Sequence, residues 1–337
     1  DPAALSMHDG CGAGNGRTGA ARGTDRRLNV VVLIRAAMSE TGGHMAQLCL
    51  GTVQFGMHYG IHNTLGRQPT EEEVFRILDA ALDTGIRMFD TASAYGTSEE
   101  LLGRYALATH GGQIISKLHP ALEGERRDVQ QEIQRSLTRL SVTSLYCYML
   151  HRVEDLDDAS VMDAMEEAKA RGWMDKIGVS IYSPDDAMRA AEDSRIDVIQ
   201  VPYNVLDQRL DDCGFFECAK RNQKEVFARS AFLQGLLLMS PADAEAKVAG
   251  SGVYVERFQS MAAEDGFLPC EAAMLYALCH AGISYVVFGV DTSAQLRENT
   301  SLLPRCRAFS ATYQKLHGAF RDIDVNILEP QRWKVSS

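Results

Sequence analysis

The chain has 337 residues, of which 45% are hydrophobic and 23% charged, and its 45 acidic against 34 basic residues give a formal net charge of -11. This charge argues against a nucleic-acid backbone or an anionic membrane as the main partner, because either needs a basic face that the composition does not supply. The length suits one α/β barrel as well as two smaller domains, so the order of the elements decides the architecture.

The eight cysteines are scattered, without a CxxC pair or the Cys and His spacing of a zinc site. Free thiols in a reducing cytoplasm are the simplest interpretation, and no metal is predicted.

Residues 1–44 hold eight glycines, no lysine and no sustained periodicity. We predict a disordered leader or a non-native extension there, followed by one domain over 45–337. A short apolar run at 30–34 leaves a signal peptide as a minor alternative.

From Met45 onward, short β-rich apolar runs alternate with amphipathic stretches of helical length. This alternation predicts repeated βα units around a parallel sheet, and the continuously apolar strands indicate that both faces of the sheet are buried. The predicted strands cover residues 48–52, 88–90, 113–117, 145–150, 176–180, 198–202, 225–229 and 285–288. Eight such units predict a single-domain (β/α)8 barrel, or TIM barrel, with residues 236–268 as an insertion after the seventh strand.

Residues that favour helix ends stand between the predicted strands. Thr70, followed by three glutamates, predicts an N-cap, and Ser183 before a proline predicts another. Thr97 with a glutamate three residues later has the spacing of a capping box. Gly85 and Gly172 predict left-handed helix exits.

Four ionisable residues lie at or just after the ends of three neighbouring predicted strands: Asp90, Tyr95, Lys117 and His151. The C-terminal strand ends form the active-site face of such barrels, so these side chains are expected to meet. A lysine inside a barrel is costly unless paired, and Asp90 is the natural partner of Lys117. The cation is expected to lower the pKa of Tyr95 from about 10 toward the working pH. Tyr95 would then protonate a substrate oxygen that His151 orients or polarises.

The stretch FDTASAYGTSEELLG at residues 89–103 closely resembles the signature of the aldo-keto reductase superfamily. The dipeptide at 116–117 and the stretch LYCYMLHR at 145–152 resemble it as well. The resemblance runs in order from residue 51 to residue 299. It implies a (β/α)8 barrel that binds extended NADPH without a Rossmann domain, and it makes the four ionisable residues above the catalytic tetrad.

The same resemblance implies a cofactor groove. Ser180 and Gln200 match the family residues that hydrogen-bond the nicotinamide carboxamide. Residues 229–235 resemble the loop over the pyrophosphate, and residues 289–299 resemble the adenosine-phosphate segment at a helix N-terminus, which favours an anion. The implied cofactor-binding residues are Gly51, Thr52, Asp90, Ser180, Gln200, Arg229, Ser230, Phe232, Gln234, Gly235, Gly289, Val290, Asp291, Gln295, Glu298 and Asn299.

The sequence departs from the family pattern at several of these positions. Ile181 stands where many relatives carry Asn, and Arg229 stands where an aromatic residue often stacks on the nicotinamide, although a guanidinium also stacks on planar rings. Gln295 replaces the basic residue that many relatives use against the 2′-phosphate, and Asp291 adds a negative charge nearby. The resemblance implies NADPH as the preferred cofactor, and the residues at 291 and 295 predict that its margin over NADH is small, with NADH usable as well.

The side chains expected around the barrel mouth are polar, which favours a sugar or another polyhydroxylated carbonyl compound, although the same side chains equally suit contact with bulk water. They are Gln54, His58, Tyr59, His119, Arg152 and Tyr182, and the candidate substrate contacts are Gln54, Tyr59, His119 and Arg152.

Two other functions stay open. One is a cofactor-binding sensor or regulatory subunit with little turnover, like the potassium-channel β subunits on this fold. The other is an aldolase in which Lys117 forms a Schiff base.

Overall fold

A computed structural model describes residues 45–61, 66–120 and 127–333, so the prediction for residues 1–44 lies outside the described residues. Eight parallel strands close into a barrel in chain order. They are β1 Gln47–Gly51, β2 Met88–Asp90, β3 Gln113–Lys117, β4 Leu145–Leu150, β5 Met174–Ser180, β6 Val198–Pro202, β7 Glu225–Arg229 and β8 Tyr285–Phe288. Cys49 of β1 pairs with Val287 of β8, which closes the sheet. The predicted (β/α)8 barrel is therefore confirmed, and β5 begins two residues earlier than expected.

Helices follow the strands and cover the outside of the barrel. The α-helices are α1 Val53–Gly56, α2 Glu71–Asp83, α3 Ser98–Arg104, α4 Val129–Leu140, α5 Ala159–Ala170, α6 Pro184–Glu192, α7 Arg209–Asp212, α8 Phe215–Arg221, α9 Pro241–Lys247, α10 Gly252–Glu264, α11 Pro269–Leu278, α12 Ser293–Ser301, α13 Ser310–Leu316 and α14 Val325–Leu328. Short 3-10 helices span Leu107–His110, Val153–Asp157, Leu233–Leu238, Leu303–Arg305 and Pro330–Arg332. The predicted insertion after β7 contains α9 and α10. None of the helices in the described ranges has the length and apolar character needed to cross a lipid bilayer.

The core has two parts, one inside the barrel and one between the sheet and the helices. Helix α4 shows how the outer part forms, because Val129, Ile133, Leu137 and Leu140 recur at helical spacing and are all buried. The barrel interior is filled by apolar and sulfur-containing side chains rather than by water. These residues are Cys49, Met88, Ile115, Cys147, Met149, Val198, Phe227 and Val287. A packed interior leaves the strand ends as the place for a site.

The helix ends agree with the sequence in four of the five cases. Thr70 forms a full capping box with α2, and Ser183 accepts a hydrogen bond from the backbone of α6. Gly85 and Gly172 adopt left-handed φ angles of 87° and 75°. The capping box at Thr97 is wrong, because its ψ of 9° keeps the side chain from reaching the helix backbone, and no side-chain cap is formed. An N-cap normally has extended backbone geometry.

Candidate active site

A buried ion pair lies between the C-terminal ends of β2 and β3. The amino group of Lys117 lies 2.7 Å from both carboxylate oxygens of Asp90, and it donates to the backbone carbonyl of Thr91 at 2.9 Å. Gln200 of β6 donates to the same carboxylate at 2.7 Å. Burial alone would lower the pKa of Lys117, but Asp90 and Tyr95 more than offset this, so the pKa lies above its ordinary value. Lys117 therefore stays protonated, and it pairs with Asp90 as the sequence analysis predicted.

Tyr95 lies in the turn between β2 and α3, above this ion pair. The centroid of its ring is 5.1 Å from the Lys117 amino group and 6.1 Å from the His151 ring, which it meets nearly edge-on. The expectation that its pKa falls toward neutrality is wrong. Burial raises the pKa of the phenol, and the opposing effect of Lys117 is smaller, with Asp90 adding to the rise. Tyr95 is therefore a protonated phenol in this structure.

His151 follows β4 directly and lines the same barrel mouth. Burial, together with the charges of Lys117, Arg229 and His119, lowers its pKa to about 3. The imidazole is therefore neutral at physiological pH. Its Nδ1 atom is buried and has no hydrogen-bond partner in the described part of the protein. A buried polar atom without a partner is costly, which favours a ligand at this position.

The turn that carries Tyr95 is held against α1 by close backbone packing. A Cβ atom on Gly56 would overlap the carbonyl oxygen of Tyr95 and would lie 2.7 Å from the amide nitrogen of Ser98. Gly96 faces this contact from the other side with a φ of 52°, in the left-handed region, where a Cβ would lie 3.0 Å from the carbonyl carbon of Gly56. The two glycines permit the approach that positions Tyr95.

Two side chains of α3 to which the sequence analysis gave no role tie this helix to the strands around it. The hydroxyl of Ser98 lies 2.7 Å from that of Thr52 and accepts a hydrogen bond from Thr91 at 3.0 Å. The carboxylate of Glu99 is buried and accepts hydrogen bonds from Ser116 and from Arg139 of α4. These contacts join segments far apart in the sequence, so no local pattern revealed them.

A cavity of about 550 Å³ opens at this end of the barrel. Every predicted cofactor-binding residue lines it, together with Tyr95 and His151, while Lys117 lies buried below. The cavity also includes residues to which the sequence analysis gave no role, from α1 and the loop after it, the segment after β7, the start of α11, strand β8 and the end of α12: Val53, Gly60, Ala231, Leu238, Leu268, Cys270, Glu271, Val287, Phe288, Ser301 and Leu302. Only the folded chain brings α11 and α12 to the same wall.

The four predicted substrate contacts divide into two pairs. Gln54 and Tyr59 line the cavity, and the buried Oε1 atom of Gln54 has no hydrogen-bond partner in the described ranges. His119 is exposed and lines a separate cavity of about 240 Å³, and Arg152 is exposed beside Glu154 at 3.4 Å. The structure therefore does not bring His119 and Arg152 to the main cavity, because the chain after β3 and β4 turns them outward.

The far end of the cavity is formed by the loop after β8 and by α12. Thr292 caps α12 by accepting a hydrogen bond from the amide of Gln295, and the Gln295 side-chain oxygen accepts one from the amide of Asp291. Gly289 lets the side chain of Gln54 pack against the backbone, since a Cβ there would overlap the Gln54 amide. The positive end of a helix dipole thus faces this end of the cavity.

Comparisons with known proteins agree with this geometry. A sequence model of the Aldo/keto reductase family matches residues 47–309, and the chain belongs to that family. It is 27% identical to an uncharacterized oxidoreductase, YqkF, of Bacillus subtilis, with 68% of this chain and 81% of that protein covered. It is 28% identical to a D-threo-aldose 1-dehydrogenase of a Pseudomonas species, with 72% and 87% covered.

Solved structures show the same fold. The holo form of aldo-keto reductase AKR11C1 from Bacillus halodurans superposes with a TM-score of 0.65 at 22% identity, covering 81% of this chain and 92% of that one. The family and the named oxidoreductases together define an NAD(P)H-dependent oxidoreductase that acts on carbonyl compounds.

Proposed function

We propose that the protein reduces an aldehyde or ketone to an alcohol with NADPH, and that Tyr95 donates the proton. The observation that carries the proposal is the grouping of a buried Asp90–Lys117 pair, a protonated phenol and a neutral imidazole at one barrel mouth. A raised phenol pKa suits a group that must hold its proton until the substrate oxygen becomes basic.

Each residue of this group has a distinct task. As negative charge develops on the substrate oxygen, the proton moves from the Tyr95 hydroxyl to that oxygen and leaves a phenolate. The fixed charge of Lys117 stabilises the phenolate, and Asp90 and Gln200 fix the position of the lysine network. The neutral His151 ring donates a hydrogen bond to the same oxygen.

The residues around the cavity fit a nicotinamide dinucleotide, since buried atoms of Gln54 and His151, which have no hydrogen-bond partner among the described residues, point to an occupant. When bound, the reduced nicotinamide supplies the hydride. We assign its carboxamide to Ser180 and Gln200, its pyrophosphate to residues 229–235 and its adenosine phosphate to residues 289–299, all of which contribute to the cavity wall. The N-terminus of α12 suits a phosphate group.

A sugar or another polyhydroxylated carbonyl compound is the proposed substrate class. Gln54, Tyr59 and Tyr182 give the mouth polar groups, and the Pseudomonas relative is named for an aldose.

The free thiols in the described ranges suit a reducing compartment, and we propose the cytoplasm as the location. The Schiff-base function for Lys117 is disfavoured, because an amine with a raised pKa is a poor nucleophile.

Steady-state oxidation of NADPH and NADH with a panel of aldoses, keto-sugars and aromatic aldehydes tests the proposal. A reductase turns over with at least one class of carbonyl compound. Tight cofactor binding without turnover across the panel would contradict reduction and favour the sensor function instead.

We expect the preference for NADPH over NADH to be about tenfold or less in kcat/KM. The Gln295 side chain offers no charge and already accepts a hydrogen bond from the amide of Asp291. Arg297 is exposed and directed to the carbonyl of Ser293 at 3.3 Å. Neither Gln295 nor Arg297 is therefore placed to form a charge-assisted pair with a 2′-phosphate. A preference above about a thousandfold would show that a basic residue reaches that phosphate.

A further inference from the structure

Arg229 places a guanidinium in the wall of the cavity that holds Tyr95 and His151. It is the last residue of β7, and three neutral partners hold it. One terminal nitrogen donates to the backbone carbonyl of Ile181 at 3.0 Å and the other to the hydroxyl of Ser230 at 3.3 Å. The ring of Tyr182 lies 4.3 Å from the guanidinium carbon. Arg229 is therefore held in position without any loss of its charge.

No ion pair joins this guanidinium to a carboxylate within residues 45–61, 66–120 and 127–333. A guanidinium carries five N–H donors, of which two are used, so three are left for a ligand. Lys117 offers a contrast, because its charge is matched by Asp90 at 2.7 Å. A half-buried arginine with unused donors is costly in the free protein and suits an anionic partner.

The charge of Arg229 acts on the reacting end of the cavity. After burial and Lys117, it is the next contribution that lowers the pKa of His151. It also opposes the rise that burial causes in the pKa of Tyr95 and of Tyr59. The acidic residues that line the cavity besides Asp90, which Lys117 pairs, lie in the loop after β8, on α11 and on α12: Asp291, Glu271 and Glu298. Among the described residues that line the cavity, Arg229 is thus a cation that no carboxylate pairs, and its charge reaches the proposed proton donor.

We propose that Arg229 binds an anionic group of the substrate, a carboxylate or a phosphate, so that the preferred substrates are acidic aldehydes or ketones. A planar guanidinium matches two oxygens of such a group at once. Sugar acids and sugar phosphates combine this group with the hydroxyls that the polar mouth accommodates. The inference rests on the proposed carbonyl reduction and specifies its substrate class.

The test compares substrates that differ in one anionic group. The pairs are 4-oxobutanoate and its methyl ester, glucuronate and glucose, and glyceraldehyde 3-phosphate and glyceraldehyde. The first two pairs test a carboxylate and the third a phosphate. We expect kcat/KM to favour the acidic member of at least one pair by about 10- to 100-fold, a preference that falls as salt is added.

Arg229→Gln should remove most of that preference. We expect the ratio of kcat/KM on the acidic member to kcat/KM on the neutral member to fall by about 10- to 100-fold, because a change in cofactor binding would lower both values equally and leave their ratio unchanged. The Kd for NADPH, measured by fluorescence titration, reports separately any contribution of Arg229 to the cofactor site, which would act on both members of a pair. Arg229→Lys keeps the charge without the paired donors, so it should retain part of the preference. Arg189→Gln is the control, because Arg189 lies on α6, exposed, with Asp157 at 2.9 Å.

Equal activity of the wild-type protein on both members of every pair would overturn the inference, while reduction itself would still stand. Equal losses on both members in Arg229→Gln, with weaker NADPH binding, would overturn it too and assign the guanidinium to the cofactor. Absence of all turnover would contradict the proposed function. In that case calorimetric titration of the NADP⁺ complex with 4-hydroxybutanoate and with 1-butanol still decides the inference, because only the acid should bind, and binding of neither would overturn it.

Discussion

At the scale of single residues, burial has different outcomes for the charge of Lys117 and for the phenol of Tyr95 above it. The lysine stays charged because its carboxylate partner compensates for burial. The phenol stays neutral because burial outweighs the nearby cation. Strand-end positions in the sequence were enough to predict that these groups meet. The sign of the Tyr95 shift was not predictable, since it depends on how much water the folded cavity excludes.

The protonation of His151 gives a prediction for stability. Its pKa falls from 6.5 to about 3 on folding, so between these values the unfolded chain binds a proton that the folded protein does not. The free energy of unfolding is therefore lowered as pH falls below 6.5. Relative to His151→Gln, the wild-type protein should lose about 2 kcal/mol between about pH 7.5 and about pH 5. Chemical denaturation across this range measures it, and a difference that does not vary with pH would contradict the buried neutral state.

Two residues show the limit of sequence reasoning at this scale. His119 and Arg152 each come two residues after the end of a strand, where active-site side chains often lie, yet both are exposed and outside the main cavity. The direction of a loop side chain depends on the backbone of its own turn. Strand patterns do not encode that backbone.

At the scale of elements, the packing of the β2–α3 turn on α1 gives a second prediction. In Gly56→Ala the new methyl group would overlap the Tyr95 carbonyl, so the turn must shift. A displacement of about 1 Å at a catalytic group can reduce activity about 100-fold, and we expect kcat/KM to fall by at least about tenfold. Steady-state kinetics with NADPH and an active carbonyl substrate measure this effect.

Gly172→Ala is the matched control for that variant. Gly172 has a φ of 75° and open space around it, so alanine there meets backbone strain without a clash. Its cost of about 1 kcal/mol should appear in stability and not in kcat/KM. Equal kinetics for Gly56→Ala and the wild-type protein would show that the turn tolerates the methyl group and that this contact does not position Tyr95.

The bounds of the elements were largely predictable because buried parallel strands are continuously apolar and are separated by polar helices. Thr97 was the exception: its spacing to Glu100 fits a capping box, but the tight turn after Tyr95 sets its backbone angles. Its hydroxyl instead accepts a hydrogen bond from Gln68 at 3.2 Å. Tertiary packing of the turn therefore overrides the local helix-start signal.

At the scale of the whole molecule, the barrel closes within the described residues. Met45 and Ala46 are buried, and the amide of Ala46 donates to the carbonyl of Leu278 at 2.9 Å. We expect a chain that starts at Met45 to melt within about 3 °C of the full chain, equivalent to about 1 kcal/mol, because all eight strands follow this residue. Thermal unfolding of both chains measures it. A much lower melting temperature would mean that residues 1–44 pack on the barrel.

The family was recognisable from motifs, and so were the residues proposed for catalysis and for the cofactor, since these motifs and their glycine turns are local in sequence. The opposite wall, from α11 and the end of α12, was not, because its residues share only their position in the folded barrel. The unpaired charge of Arg229 was equally hidden, since it depends on which carboxylates lie near the end of β7.

The most direct test of the account is Tyr95→Phe, which removes the proposed proton donor and leaves the cavity shape nearly unchanged. We expect kcat/KM for carbonyl reduction to fall by about 10² to 10⁴, because the transition state loses general-acid assistance. The Kd for NADPH, measured by fluorescence titration on the same samples, should stay within about threefold of the wild-type value. Turnover close to that of the wild-type protein would contradict the assignment of Tyr95 and, with it, the mechanism proposed for this site.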